Sequence, residues 1–298
     1  MTTKKRRMIR NSLAAFCFSA PFGIFYIVFT IWPVIQGVYV SLHKWGLMGK
    51  LKYVGLSNYK KFIGDKFFWE SMGNTTKLVI LIVPALVILS FLLALMANRK
   101  SGLRKLLRTC YYIPNVLSVS VISYISVYMF SPYMGFVNGM LHSLGIMAGD
   151  QEIYWLKDIN LSMVTISIAT VWWTLGFSMM LYISALQDIP EQLYEQAEID
   201  GATKTVQLLK ITLPLLSPVT YLIAMLQIIA SFKIFGQVFM ITKGGPGTKT
   251  RPIIQYIYET AFTKNDMGYA AAMSYALFFV LIILTLIQLF VQNRRTDS

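Results

Sequence analysis

Apolar residues in this chain come in long unbroken runs, separated by short basic, acidic or glycine-rich stretches. Six runs, at 13–40, 78–97, 109–130, 161–186, 216–241 and 268–292, reach the roughly 20 residues that a helix needs to cross a bilayer. Hydrocarbon offers the backbone no water to bond, so each run is predicted to be a helix that satisfies its own hydrogen bonds. Pro21, Pro33 and Pro84 fall inside these runs, where kinks are expected. The pattern predicts an all-α polytopic membrane protein with six transmembrane helices between 13 and 292. The polar interruption at 188–218 is the most distinctive segment between them.

Composition supports the same class. Hydrophobic residues make up 56% and charged residues 13%, whereas soluble domains carry about a quarter charged residues. Mean hydropathy is +0.57. The net charge of +14 could suggest nucleic acid, but the bases punctuate apolar runs and do not gather into one basic face. They serve instead to orient the chain. The N-terminal cluster Lys4, Lys5, Arg6, Arg7 and Arg10, and the stretch with Arg99, Lys100, Arg104, Lys105 and Arg108, are the densest in basic residues. Placing both in the cytoplasm puts 1–12 and 293–298, with Arg294 and Arg295, inside as well. The first external loop then carries six lysines beside Asp65 and Glu70. The stretch without charge from 11 to 43 is too long for a signal-peptide core of about 7–15 residues, so it is read as an uncleaved first span. The external stretch 132–160 is read as a lid or short interfacial helix.

Little in the chain suggests chemistry of its own. Cys17 and Cys110 have no metal-ligand spacing and read as small buried hydrophobes. His43 and His142 stand alone in external or interfacial stretches, no metal site is predicted, and no catalytic group is assembled. Gly244-Gly245-Pro246-Gly247-Thr248-Lys249-Thr250 superficially suggests a phosphate loop. However, Thr248 occupies the place of the glycine that must precede the lysine, and no strand leads into it, so it is read as a turn.

Five of the thirteen acidic residues lie between Asp188 and Ala202. Asp188, Pro190 and Glu191 read as a helix start and Gly201 as its stop. Leu193, Tyr194, Ala197 and Gly201 share one face of that short helix, with Glu191, Glu195 and Glu198 opposite. Such a helix suits the groove of a soluble partner: its small residues allow close approach and its carboxylates can meet arginines. A solvated linker between two spans is the alternative. In the spans, Trp172, Trp173, Gln227, Ser231 and Phe235 are candidates for a solute path, since aromatic faces and amides suit sugar rings and hydroxyls. The alternative is packing and hydrogen bonding across the bundle. Lys233, about 25 Å along its run from Leu216, reads as snorkelling to the outer interface.

Glu195-Gln196-Ala197, Asp200-Gly201-Ala202 and Ile211-Thr212-Leu213-Pro214 together resemble the EAA loop of binding-protein-dependent ABC importer permeases, with Gln196 where the family usually has alanine. The resemblance continues through Val54-Gly55-Leu56-Ser57-Asn58-Tyr59, Asn74-Thr75-Thr76, Arg108-Thr109 with Tyr111-Tyr112-Ile113-Pro114, and Trp155-Leu156. Thr242, Gly244-Gly245-Pro246 and Tyr258-Glu259-Thr260-Ala261-Phe262 are similar to the carbohydrate-uptake branch, which includes the larger maltose-permease half and the glycerol-3-phosphate permease. Gly236 departs from that branch, which often has Asp or Asn there.

The resemblance implies a subunit of the bacterial inner membrane that is not itself an enzyme. Its partners would be a second permease, two ATP-binding-cassette ATPases and an extracytoplasmic solute-binding protein, with ATP and magnesium held by the ATPases and no cofactor by this chain. Tyr194, Glu195, Ala197, Glu198, Asp200, Gly201 and Ala202 would form the ATPase-coupling helix. The solute would be an oligosaccharide or monosaccharide, with glycerol phosphate or another polyol as the alternative. A secondary transporter, which would call for carboxylates in the middle of spans, is the more distant reading.

Overall fold

The structure is a computed structural model that describes residues 16–98, 102 and 104–296. The expectations placed on 1–12, on the start of the first span, on Arg99 and Lys100, and on the side chains of Arg294 and Arg295 lie outside the described residues. The chain divides into two compact units, Met1–Asp65 with Ile257–Leu277, and Lys66–Tyr256 with Phe278–Ser298.

The first unit begins with α1 (Phe16–Ser41). This helix widens into a π turn at Ile27–Ile31, where Trp32 N–H reaches back to Ile27 O. The wider turn lies just ahead of Pro33, whose ring would crowd a regular helical turn and which brings no N–H of its own. A short antiparallel hairpin follows, β1 (His43–Gly46) and β2 (Gly49–Tyr53). The sequence reading had only a loop here. Two residues, Leu47 and Met48, make the turn, and Gly49 takes φ +106 to close it.

Then comes α2 (Ser57–Ile63). Its Asn58 donates to Ser41 O at 2.8 Å and His43 O at 3.0 Å, and Tyr59 Oη pairs with Ser41 Oγ at 2.7 Å. Asn58 and Tyr59 of the Val54-Gly55-Leu56-Ser57-Asn58-Tyr59 motif therefore fasten the hairpin to the end of α1. His43 is 3% exposed, with Nδ1 2.6 Å from Tyr39 O.

The second unit holds α3 (Lys66–Asn98), α4 (Arg104–Val116), α5 (Val119–Met129), α6 (Phe136–Ser143) and α7 (Ile159–Gln187). Next are α8 (Glu191–Ile199), α9 (Lys204–Phe232) and α10 (Gly236–Ile241). Two helices run across the unit boundary: α11 (Ile253–Tyr258, continued by a π turn at Glu259–Thr263) and α12 (Met267–Thr296).

Among the described residues, α1, α3, α7, α9 and α12 are each long and apolar enough to cross a membrane, and α4 with α5 makes a sixth if the pair counts as one span. That pair replaces the single helix expected at 109–130, because it bends by 104°. Leu117 N–H reaches only to Pro114 O, and Ser118 turns extended at ψ 153, its side chain accepting from Val121 N to start a new helix.

The expected span 216–241 is also broken. α9 stops at Phe232 and α10 begins at Gly236, with Phe235 at φ −145, ψ −61 between them. Both cysteines are exposed on this chain, which corrects the expectation that they are buried.

The core of this unit is where α3, α7 and α9 meet. Leu78, Ile82, Leu86, Met179, Tyr182, Ile183, Leu216 and Ile223 are buried there. Apolar burial alone binds helices weakly in lipid, so small and hydroxyl residues carry close contact. Ser90 and Thr170 turn their hydroxyls back to Leu86 O and Ile166 O at 2.6 and 2.8 Å.

Candidate functional site

The acidic loop folds as a helix with a definite stop. α8 starts at Glu191 after Pro190; Asp188 does not begin it as expected, because it closes the end of α7. The stop is a Schellman arrangement, with Ala202 N–H bonded to Ala197 O at 2.8 Å and Gly201 N–H to Glu198 O at 3.0 Å. Gly201 has φ +79, which L side chains rarely adopt, and open space surrounds the position of a Cβ.

Three side chains hold α8 against the start of α9. Tyr194 Oη lies 2.9 Å from Thr212 Oγ1, buried Gln207 donates to Ala202 O at 3.5 Å, and Lys204 pairs with Glu198. The hydrogen bond from Lys204, reinforced by its charge, holds the Glu198 carboxyl below the usual carboxylate range. Tyr194, Ala197 and Ala202 are half-buried, while Glu195, Asp200 and Gly201 are exposed. Ile199, which sequence reasoning passed over, is 87% exposed. The loop thus presents an apolar tip flanked by carboxylates, on a helix fixed to the next one.

That next helix is continuous. At about 1.5 Å per residue, α9 runs some 43 Å from Lys204 to Phe232, with a π turn at Leu208–Thr212 ahead of Pro214. Its far end borders a cavity of about 520 Å³, walled by Thr170, Trp173 and Thr174 of α7, Gln227 and Ser231 of α9, Val119 of α5, and Lys233, Phe235 and Gln237 at the break. Trp173 Nε1 donates to Leu117 O at 3.1 Å, which fixes its ring at the cavity edge. Gly236 sits where a Cβ would approach Val119 Cγ2 to 3.1 Å, so glycine at this position lets α10 pack on α5.

The structure brings Trp173, Gln227, Ser231 and Phe235 together and leaves Trp172 elsewhere. Trp172 is on another face of α7, in a groove with Leu81, Ala85 and Leu89 of α3. Gln227 lies five residues from the end of α9, about 8 Å at the helical rise. The cavity also takes in Thr170, Thr174, Gln237 and Lys233. Thr170, three residues before Trp173, and Thr174, four after Thr170, could have been found from helical spacing. Lys233 terminates α9 beside the cavity, because the helix ends before it.

The glycine-rich segment after α10 is a turn packed on α3. Thr242 and Thr250 bridge it at 2.9 Å through their hydroxyls, and Asn74 donates to Thr248 O at 2.9 Å and Arg251 O at 3.2 Å. Glu70 accepts from Thr248 and Lys249 at 3.2 and 3.1 Å. Asn74-Thr75 and Gly244-Gly245-Pro246, far apart in sequence, thus form one assembly, with Ile253 N–H donating to Thr75 at 2.9 Å.

Several membrane-length helices, a discontinuous one beside a cavity edged by threonine, glutamine and serine side chains, and a short acidic helix fixed to its other end define a multi-span permease. Residues 86–297 match the family described as binding-protein-dependent transport system inner membrane component, and the chain belongs to that family. It is 32% identical over 288 residues to YesP of Bacillus subtilis, named a probable ABC transporter permease, covering 95% of this chain and 92% of the relative. To LacF of Rhizobium radiobacter, named a lactose transport system permease, it is 31% identical over 305 residues, covering 99% and 100%. A chain of a bacterial alginate ABC transporter, crystallised with an alginate-bound periplasmic protein, has the same fold, with a TM-score of 0.86, 24% identity and 98% of both chains covered.

Proposed function

We propose that this chain conducts a sugar, an oligosaccharide or monosaccharide, through the inner membrane as one permease subunit of an ATP-driven importer. The observation that carries the reading is the continuity of α9. One end holds the acidic helix through Tyr194 and Thr212, and the other contributes Gln227 and Ser231 to the cavity. Movement imposed on α8 is therefore delivered to the cavity wall along one continuous helix.

In this mechanism Ile199 and Ala197 seat the tip of α8 in an ATPase cleft, and Glu195 meets a basic residue of that cleft. ATP and magnesium act in the partner ATPases, and this chain hydrolyses nothing. A second permease, two ATPases and an extracytoplasmic binding protein complete the assembly, with both termini of this chain in the cytoplasm. In the cavity, the Trp173 ring offers a face for a sugar ring, and Gln227 and Gln237 offer amides to its hydroxyls. The names of the relatives point the same way, including arabinooligosaccharide permeases AraP of Halalkalibacterium halodurans and Bacillus subtilis.

The test is Gly201→Asp in the importer reconstituted with its ATPase and binding protein. A side chain at φ +79 disturbs the helix stop and adds bulk where α8 must seat. The variant is expected to reach the membrane and keep its fold while losing solute-stimulated ATP hydrolysis. Normal uptake would overturn the coupling role. Stimulation of the wild type by glycerol phosphate and by no sugar would overturn the substrate class alone.

A further inference from the structure

Arg104 and Arg108 stand one turn apart on α4, and among the described residues neither meets a carboxylate. Their partner is the end of α7. With its amide oxygen turned toward them, Gln187 accepts from Arg108 at 2.9 Å and also from Arg104. An amide can hold two guanidinium groups together but cannot neutralise them. The Nε of each is buried without a hydrogen-bond partner. From Arg108 an apolar groove of about 460 Å³ follows α4 past Ile113 and Val116, with Met180 of α7 forming its wall. Ile113 is 53% and Val116 73% exposed on this chain. From Arg108 to Val116 is about 12 Å at the helical rise, enough to seat the upper part of one acyl chain.

We propose that this is a binding site for one anionic phospholipid, with its phosphate on Arg104 and Arg108 and one acyl chain along Ile113, Val116 and Met180. Charge complementarity and depth choose this occupant. Two planar guanidinium forks match phosphate oxygens, and their uncancelled charge favours a head group with a net negative charge over a zwitterion. The charged end is level with the end of α7, at the flank that the Lys/Arg bias assigns to the cytoplasmic leaflet, and the groove leads from there toward hydrocarbon. Free phosphate would use the arginines and leave the groove empty. A helix of another subunit would use the groove and leave the arginines without a counter-charge.

Native mass spectrometry of the detergent-purified importer, with defined lipids added, tests the site. Dioleoyl phosphatidylglycerol is expected to be retained roughly tenfold more than dioleoyl phosphatidylcholine, with dihexanoyl phosphatidylglycerol and inorganic phosphate not retained. R104Q/R108Q should abolish the preference. Val116→Trp, at an exposed position, should abolish it with both arginines intact, so the test survives if the double variant fails to accumulate. Equal retention of the two dioleoyl lipids, retention of the short-chain lipid, or an unchanged preference in Val116→Trp would overturn the proposal. So would release of the partner permease by Val116→Trp, which would mean that protein covers the groove.

Discussion

Two glycines illustrate what a single residue reveals before the fold is known. Gly201 announces itself because a helix of acidic and small residues must stop before the next one begins, and its φ of +79 with the Ala202 to Ala197 bond is that stop. Gly176 lies in an apolar run with no punctuation. Its role is set by a helix that crosses it: a Cβ there would stand 2.2 Å from Tyr111 O and 2.7 Å from Tyr112 Cα. Backbone atoms cannot step aside as a flexible side chain can, so Gly176→Ala must push α4 off α7. Overpacking of this kind costs about 1–3 kcal/mol, and the variant is expected to show a lower thermal midpoint and reduced accumulation in the membrane, by fluorescence-detected size exclusion. A wild-type midpoint would mean that α4 is free to shift. Gly201 was legible because its signal is local, and Gly176 was not because its constraint comes from 65 residues upstream, at Tyr111.

At the scale of elements, apolar runs located the helices but not their breaks. The bend between α4 and α5 depends on Ser118 capping a new helix, and the end of α9 depends on the backbone at Phe235. Neither changes hydropathy, so a window of hydrophobicity reads straight through both. The segment 132–160 is different, since its order comes from polar contacts. Glu152 accepts from Tyr133 N–H at 3.0 Å and Asn138 Nδ2 at 2.5 Å, and Trp155 Nε1 donates to Asn138 Oδ1 at 2.6 Å. The Tyr133 amide, with help from Asn138 and His142, outweighs desolvation and holds the Glu152 carboxyl below its ordinary value of 4.5. A depressed pKa contributes stability that is present above the unfolded value and is lost as pH falls through the folded one. Protection of the Tyr133 amide from hydrogen exchange, corrected for the intrinsic rate, should therefore hold at pH values above the ordinary 4.5 of the carboxyl and decline as pH falls below it. Glu152→Gln, which accepts without titrating, should remove that decline; a decline that persists in the variant would assign it to another group.

For the molecule as a whole, the proposed coupling requires that motion at the α8 tip become motion at a cavity about 43 Å away along one helix. A loop loosely tied to its span would dissipate a push. Here the tip is fastened at Tyr194–Thr212, Gln207–Ala202 and Lys204–Glu198, and the helix then continues to Phe232. Pro214 follows the π turn at Leu208–Thr212 and Pro218 lies inside the helix, yet α9 continues as one helix to Phe232. The expected consequence is rigid-body behaviour. Spin labels at exposed Gln196 and Lys233, with Cys17 and Cys110 first replaced because both are exposed, should keep their separation between nucleotide-free and ATP-trapped importer. Over the same transition each label should move relative to one on a partner subunit. A change in the 196–233 distance above about 5 Å, one helical turn, would place a hinge between the α8 tip and the far end of α9 and remove the lever on which the coupling mechanism depends.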